Sequence, residues 1–190
     1  MANVPNLLTL FRIALIPVLV ATFYVGGDMA GRLACAIFVL AGVTDFFDGY
    51  VARRFDQRSA LGRFLDPVAD KLLVAAALLM MVGFGQIAGF AVLPALVILC
   101  REILVSGLRE YLAEISVGMP VSRLAKWKTA IQMTAIAVLL LGEAGPWGVP
   151  WVTIGEVGLW AAAVLTLITG YDYLRSALRH ITGGQAGAGE

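Results

Sequence analysis

Long apolar stretches alternate with short polar or glycine-rich breaks along almost the whole chain. A membrane-spanning helix needs about 20 mainly apolar residues, because it rises about 1.5 Å per residue across a hydrocarbon core of roughly 30 Å. Stretches of this kind lie near residues 7–25, 31–50, 66–83, 87–112, 124–142 and 150–172. The pattern predicts an all-α integral membrane protein, built as a bundle of six transmembrane helices.

The breaks between these stretches are too short to hold a second domain. Residues 1–180 are therefore expected to form one transmembrane domain, and the Gly- and Ala-rich residues 181–190 a disordered tail. The first stretch lacks a basic leader and carries Arg12 within its apolar run. It is therefore interpreted as a retained helix rather than a cleaved signal peptide.

Composition agrees with a membrane location and excludes other classes of protein. Of 190 residues, 60% are hydrophobic and 14% are charged, whereas soluble domains contain about 25% charged residues. Two cysteines are too few for a disulfide scaffold, and a net charge of +1 gives no field that would attract nucleic acid. Lysine and arginine concentrate in the connections on one side, which predicts an inner (plasma) membrane protein whose termini and basic loops face the cytoplasm.

Acidic residues cluster in one segment, although charge is costly near a membrane. Asp45 and Asp48 lie three residues apart at the end of the second helix. Asp66 and Asp70 lie four residues apart at the start of the third, so each pair shares one helical face. We expect these two helices to be antiparallel neighbours that bring the four carboxylates together. Such hard oxygen donors suit Mg²⁺ or a similar ion, and four of them could hold two ions for phosphoryl transfer.

Small and basic residues stand beside these acids. Gly49, Gly62 and Ala52 leave room for a nucleotide or its pyrophosphate to approach the backbone. Arg53 can bind a phosphate through its forked guanidinium group. Alternatively, the acids could cap helix ends, pair with arginines in a solvated loop, or line the path of a divalent-cation transporter. Their position in a single unrepeated hairpin at one membrane face favours surface chemistry over transport.

The segment from Asp45 to Asp70 resembles the signature of the CDP-alcohol phosphotransferase family, D-x2-D-G-x2-A-R-x8-G-x3-D-x3-D, at every fixed position. The resemblance implies a six-helix membrane enzyme, usually a homodimer, that transfers a phosphatidyl or related group from a CDP-linked donor to an alcohol and releases CMP. It also implies two metal ions per site, Mg²⁺ or Mn²⁺, and Asp70 as the general base. The implied metal ligands are Asp45, Asp48, Asp66 and Asp70.

Further cations indicate that the acceptor alcohol carries its own phosphate. Arg101 and Arg109 lie about two turns apart on the fourth helix, and Lys126 and Lys128 stand at the start of the fifth. A neutral acceptor gives no reason for so many cations beside a metal site. As alternatives, the lysines could anchor the cytoplasmic side, and the arginines could form structural ion pairs with neighbouring glutamates.

Three more stretches, residues 5–12, 101–109 and 126–129, resemble the bacterial branch of the same family that uses CDP-diacylglycerol as donor and sn-glycerol 3-phosphate as acceptor. This resemblance implies that the acceptor phosphate is held by Arg101, Arg109, Lys126 and Lys128. The predicted donor site comprises Asn6, Thr9, Arg12, Gly49, Ala52, Arg53, Ser59 and Gly62. Membrane lipids surround the donor's acyl chains.

Some alternatives stay open at this point. Asn6 and Thr9 could instead cap the first helix, and inositol phosphate is physically allowed as the acceptor. The aromatic residues near the end of the last helix, Tyr171 and Tyr173, are interpreted as interfacial or packing residues without a chemical role.

Overall fold

The computed structural model describes residues 4–54, 60–114 and 123–185, and within these ranges the chain is a bundle of long helices without strands. The helices are α1 (Val4–Val25), α2 (Gly27–Arg54), α3 (Ala60–Gly83), α4 (Val92–Glu114), α5 (Arg123–Leu141) and α6 (Trp151–Gln185). Single turns of 3-10 helix, Gly89–Ala91 and Gly142–Ala144, precede α4 and follow α5. The predicted all-α fold is confirmed.

In the part of the chain that the structure describes, five helices are long and apolar enough to cross a membrane, namely α1, α2, α4, α5 and α6. The remaining helix, α3, is 24 residues long, but Asp66, Asp70 and Lys71 lie within it. The membrane bundle of long helices is therefore confirmed. Five of its six described helices have the length and hydropathy of a span, and α3 differs from them because its first half is charged.

The first helix lies between the second and the third. α1 packs extensively against both α2 and α3, whereas α2 and α3 touch each other over only a short stretch. The sequence led us to expect direct pairing of α2 with α3. Helices in a membrane are apolar on nearly all sides, so the apolar pattern does not select which neighbour each helix takes.

Glycine allows the last two helices to approach closely. A Cβ atom built on Gly158 of α6 would lie 3.0 Å from the Cβ of Ala135 on α5, and one on Gly155 would lie 2.6 Å from Cγ of Leu139. Small residues at such contacts let helix backbones come together inside a membrane, where packing rather than water drives association. The close α5–α6 pair forms one side of the bundle.

The interior changes character from one end of the bundle to the other. Side chains that are almost fully buried come from every helix and include Leu19, Phe38, Leu73, Ile98, Leu139 and Leu159. Most of the buried polar side chains lie toward the starts of α1 and α5 and on the middle of α6, namely Asn6, Thr9, Arg12, Lys128, Gln132, Thr166 and Thr169. That polar end positions the site.

The last helix is longer than expected. α6 continues to Gln185, into the segment 181–190 that the composition predicted to be a disordered tail. No proline interrupts it, and Gly183 and Gly184 come only near its end, so nothing in the sequence stops the helix earlier. Residues 186–190 lie outside the described part of the chain.

Candidate active site

A cavity of about 1450 Å³ opens at the polar end of the bundle. Carboxylates line it from α2 and α3, and cationic side chains line it from α4 and α5. The predicted site residues that the cavity brings together are Asp45, Asp66, Asp70, Arg101, Arg109, Lys126 and Lys128. Residues from distant parts of the sequence thus meet in one space, with opposite charges in a single cavity.

The first helix holds two of the acidic residues. Nη1 of Arg12 lies 2.6 Å from Oδ1 of Asp45, and the Arg12 side chain is fully buried. The Thr9 hydroxyl donates a hydrogen bond to Oδ1 of Asp66 at 2.5 Å. Asn6, which was grouped with these residues as a donor contact, is also buried. Spacings of three residues place all of them on one face of α1, and this face contacts the carboxylates directly.

The carboxylates have the chemistry of a site for a hard divalent cation. Asp45, Asp66 and Asp70 offer only oxygen donors, which Mg²⁺ and Mn²⁺ prefer. Among the described residues, no three acidic, histidine or cysteine side chains stand close enough together to form a complete metal site. The side chain of Asp48, the fourth predicted ligand, lies outside the described part. Because the three carboxylates offer only oxygen donors, they fit such an ion by their chemistry. The two-ion arrangement stays a prediction.

Several predicted donor contacts lie where the structure gives no account of their side chains. Gly49, Ala52 and Arg53 are on the last turns of α2, and Ser59 falls in the connection to α3 outside the described residues. Gly62 is buried near the start of α3. The roles given to these residues stay predictions.

A glutamate links two of the cations. Glu102 on α4 forms an ion pair with Lys128 on α5, and its Oε1 also lies 3.6 Å from Nη1 of Arg101. Lys128 is almost fully buried. The structural ion pair that was the alternative interpretation for Arg101 is therefore present. Arg101, Glu102 and Lys128 nevertheless also line the cavity.

Sequence reasoning missed two residues of α6 that contact the arginines. The guanidinium carbons of Arg101 and Arg109 lie over the ring of Tyr173, at 5.7 and 5.5 Å from its centroid. Nη2 of Arg109 also lies 3.4 Å from the Tyr173 hydroxyl, and Nη2 of Arg101 donates to the hydroxyl of Thr169 at 3.1 Å. Thr169 and Tyr173 are four residues apart, a spacing that shares one helical face and could have drawn attention to them.

The cavity continues from its charged end into an apolar groove between α2 and α5. Val39, Gly42, Met133 and Val138 are among its lining residues. Gly42 keeps the groove open on the α2 side, where an added Cβ would lie 3.2 Å from Cε of Met133. A charged head site that leads directly into an apolar groove is the shape that a phosphate-bearing lipid requires.

Fold and site together define a polytopic membrane protein suited to phosphorylated lipid substrates. The family model described as CDP-alcohol phosphatidyltransferase matches residues 2–168. This chain belongs to that family, and the resemblance found in the acidic segment is confirmed.

Named relatives agree with this assignment. A protein of Rickettsia bellii, named CDP-diacylglycerol–glycerol-3-phosphate 3-phosphatidyltransferase, is 47% identical over 178 residues, which cover 94% of this chain and 97% of that protein. A protein of Cereibacter sphaeroides with the same name is 39% identical, with 94% of this chain and 97% of that protein covered.

A solved structure shows the same fold. The phosphatidylinositol phosphate synthase of Mycobacterium tuberculosis, in complex with manganese and citrate, superposes with a TM-score of 0.68 at 20% sequence identity. The match covers 93% of this chain and 83% of that one. At this identity the likeness concerns the arrangement of the helices.

Proposed function

We propose that this protein transfers the phosphatidyl group of CDP-diacylglycerol to sn-glycerol 3-phosphate, giving phosphatidylglycerophosphate and CMP in phospholipid biosynthesis. The observation that carries the proposal is the single cavity in which carboxylates of α2 and α3 accompany cations of α4 and α5. A reaction between two phosphate-bearing substrates needs both kinds of group in one space. Both relatives described above are named for this donor and this acceptor.

The carboxylates form the donor side of the proposed site. Asp45, Asp48, Asp66 and Asp70 would hold Mg²⁺ or Mn²⁺, two ions per site. When bound, these ions would neutralise the donor diphosphate and stabilise CMP as a leaving group. Arg12 and Thr9 orient two of the carboxylates through the contacts with Asp45 and Asp66.

Asp70 is the proposed general base. It is partly buried and lines the cavity one turn after Asp66, on the same face of α3. Its carboxylate would accept the proton of the 1-hydroxyl group of glycerol 3-phosphate as that oxygen attacks the β-phosphorus of the donor in line. None of the fixed positions of the acidic signature is a serine or a cysteine, which favours direct displacement over a covalent intermediate.

The cations form the proposed acceptor side. Arg101, Arg109, Lys126 and Lys128 all line the cavity. Guanidinium groups bind phosphate oxygens through paired hydrogen bonds, and ammonium groups add charge without that geometry. An acceptor with its own phosphate can neutralise these cations, whereas serine cannot.

The test is an acceptor panel with the purified protein. With Mg²⁺ and CDP-diacylglycerol, we expect CMP release in the presence of sn-glycerol 3-phosphate and little release with serine. Equal release with inositol phosphate would overturn the choice of acceptor. Absence of CMP release with every acceptor, together with uptake of Mg²⁺ by vesicles that contain the protein, would favour a transporter.

Inositol phosphate is the second candidate acceptor. The solved structure with the same fold is named a phosphatidylinositol phosphate synthase, and the four cations fit any phosphate monoester. The relatives of higher identity are named for glycerol 3-phosphate, which is why that acceptor is preferred here.

Location and assembly complete the proposal. We infer that the polar end of the bundle faces the cytoplasm of the inner membrane, where CDP-lipids and glycerol 3-phosphate would meet, and that the chain works as a homodimer. Protease or thiol-labelling access to the α2–α3 connection from the cytoplasmic side tests the orientation. The mass of the detergent-solubilised protein, corrected for bound detergent, tests the dimer.

A further inference from the structure

Arg101 and Arg109, the two arginines of the proposed acceptor side, both contact Tyr173. Their positive charges repel each other, so the two groups would be electrostatically more stable farther apart. Tyr173 is 6% exposed and lines the cavity. The guanidinium carbons of Arg101 and Arg109 lie over its ring at 5.7 and 5.5 Å from the centroid. An aromatic ring attracts cations through the negative charge on its faces, so it can hold two guanidinium groups near each other.

We propose that Tyr173 is a positioning residue that fixes Arg101 and Arg109 in the geometry that binds the acceptor phosphate. The inference rests on the proposed function and deepens it. Contacts from α6 would make the site selective for a phosphorylated acceptor. The tyrosine itself acts through the arginines and need not touch the substrate.

The neighbouring residues of α6 hold Arg101 along its length. The hydroxyl of Thr169 accepts a hydrogen bond from Nη2 of Arg101 at 3.1 Å and donates its own proton to the carbonyl oxygen of Leu165 at 2.8 Å. A Cβ on Gly170 would lie 3.1 Å from Cγ of Arg101. The alkyl chain of the arginine therefore lies against the backbone of α6, while Thr169 and Tyr173 contact its guanidinium group.

Arg109 is positioned by a different contact from those of Arg101. Nη2 of Arg109 lies 3.4 Å from the hydroxyl oxygen of Tyr173, and the residue is otherwise exposed at its position on α4. A long exposed side chain loses much rotamer freedom when it binds a ligand. Restricting Arg109 before the acceptor arrives lowers that cost, so removal of the ring should weaken acceptor binding in particular.

The experiment compares steady-state kinetics of Tyr173→Leu, Tyr173→Phe and wild type. Tyr173→Leu removes the ring, and we expect the acceptor KM to rise about tenfold, which corresponds to about 1.4 kcal/mol. The donor KM and kcat should stay within about twofold. Tyr173→Phe keeps the ring and should stay within about threefold of wild type. Tyr171→Leu is the matched control, because Tyr171 is on the same helix and 64% exposed.

Three outcomes would overturn the inference. The first is an unchanged acceptor KM in Tyr173→Leu. The second is an equal loss in kcat and in both KM values, which indicates a merely structural role. The third is the same loss in Tyr171→Leu as in Tyr173→Leu. If Tyr173→Leu does not fold, Thr169→Val takes its place. That variant removes the hydroxyl that holds Arg101 and should raise the acceptor KM at least threefold, and an unchanged value would contradict the proposal.

A binding measurement separates this inference from the proposed function. Inorganic phosphate should raise the unfolding temperature of the purified wild-type protein, and the concentration required should be about tenfold higher for Tyr173→Leu. If the wild type releases no CMP with glycerol 3-phosphate but this shift in phosphate binding is found, the proposed function fails and the positioning role stands. Equal phosphate binding by the two proteins, or none by the wild type, would overturn the positioning role.

Discussion

Arg12 of α1 contacts Asp45 of α2 with 2.6 Å between Nη1 and Oδ1, and the arginine side chain is fully buried whereas 47% of the aspartate side chain is exposed. A buried guanidinium group needs a negative partner, because leaving it without one costs several kcal/mol. Arg12 therefore keeps the Asp45 carboxylate at one place on the cavity wall. Because α1 lies between α2 and α3, which carry the acids, the position of α1 affects where the carboxylates of the site lie.

Removal of the Arg12 charge should impair catalysis. We expect Arg12→Met to lower the rate of CMP release at least tenfold, since a hydrogen bond to a charged group contributes about 1.5–3 kcal/mol. Arg12→Lys should recover part of the rate because it keeps the charge and loses the forked geometry. Initial rates in mixed micelles measure both effects.

The matched control for these variants is Arg32→Met. Arg32 donates a hydrogen bond to the carbonyl oxygen of Ala144 at 3.1 Å, at the opposite end of the bundle. We expect this variant to keep its rate of CMP release. A normal rate in Arg12→Met, or an equal loss in Arg32→Met, would contradict the role given to Arg12.

The hydroxyl of Thr9 should matter for activity more than for stability. Thr9→Val has nearly the same shape and removes the donor to Asp66, so the carboxylate loses one of the groups that orient it. We expect a threefold to tenfold drop in kcat, in keeping with about 1 kcal/mol for a net hydrogen bond. Thr153→Val, at an exposed position on α6, should leave kcat unchanged. Equal kcat values for the two variants would contradict the prediction.

Asp70→Asn tests the proposed general base. The amide has the same shape but cannot accept the acceptor's proton, and loss of general-base catalysis typically lowers a rate by about 10²–10⁴-fold. Donor binding, followed by equilibrium binding of labelled CDP-diacylglycerol, should change much less than the rate, because Asp45, Asp48 and Asp66 would still hold the ions. Asp172→Asn, at an exposed position on α6, is the control for removing one carboxylate. Substantial CMP release by Asp70→Asn would exclude Asp70 as the base.

The sequence was sufficient to predict the helices and seven of the ten charged residues that line the cavity. Apolar stretches of about 20 residues locate spans because the bilayer demands that length. Charged residues within such stretches point to a site because charge is costly there. Asp66 and Arg101 could therefore be placed in one site although they lie far apart along the chain, and the cavity contains both.

Neighbour relationships could not be predicted in the same way. The position of α1 between α2 and α3 depends on packing of apolar faces that look alike in sequence. Tyr173 was interpreted as an interfacial residue because tyrosine is common at that depth, and its contact with Arg101 requires the register of α6 against α4. The pairing of Lys128 with Glu102 likewise depends on how α5 packs on α4.

The ion pair of Glu102 with Lys128 offers a test that separates stability from binding. Each single variant, Glu102→Gln or Lys128→Met, breaks a largely buried pair, so each should lower the free energy of unfolding by about 3 kcal/mol. The double variant removes both charges of this pair and, although Arg101 loses its 3.6 Å contact with Glu102, should recover most of that loss. Its acceptor KM should nevertheless remain at least tenfold higher than that of the wild type, because one of the cations proposed to bind the acceptor phosphate is gone. Unfolding temperatures in detergent and steady-state kinetics measure the two properties. Glu114→Gln, at an exposed position on α4, should change neither. If the stability losses of the two single variants simply add in the double variant, the pair does not act as a unit.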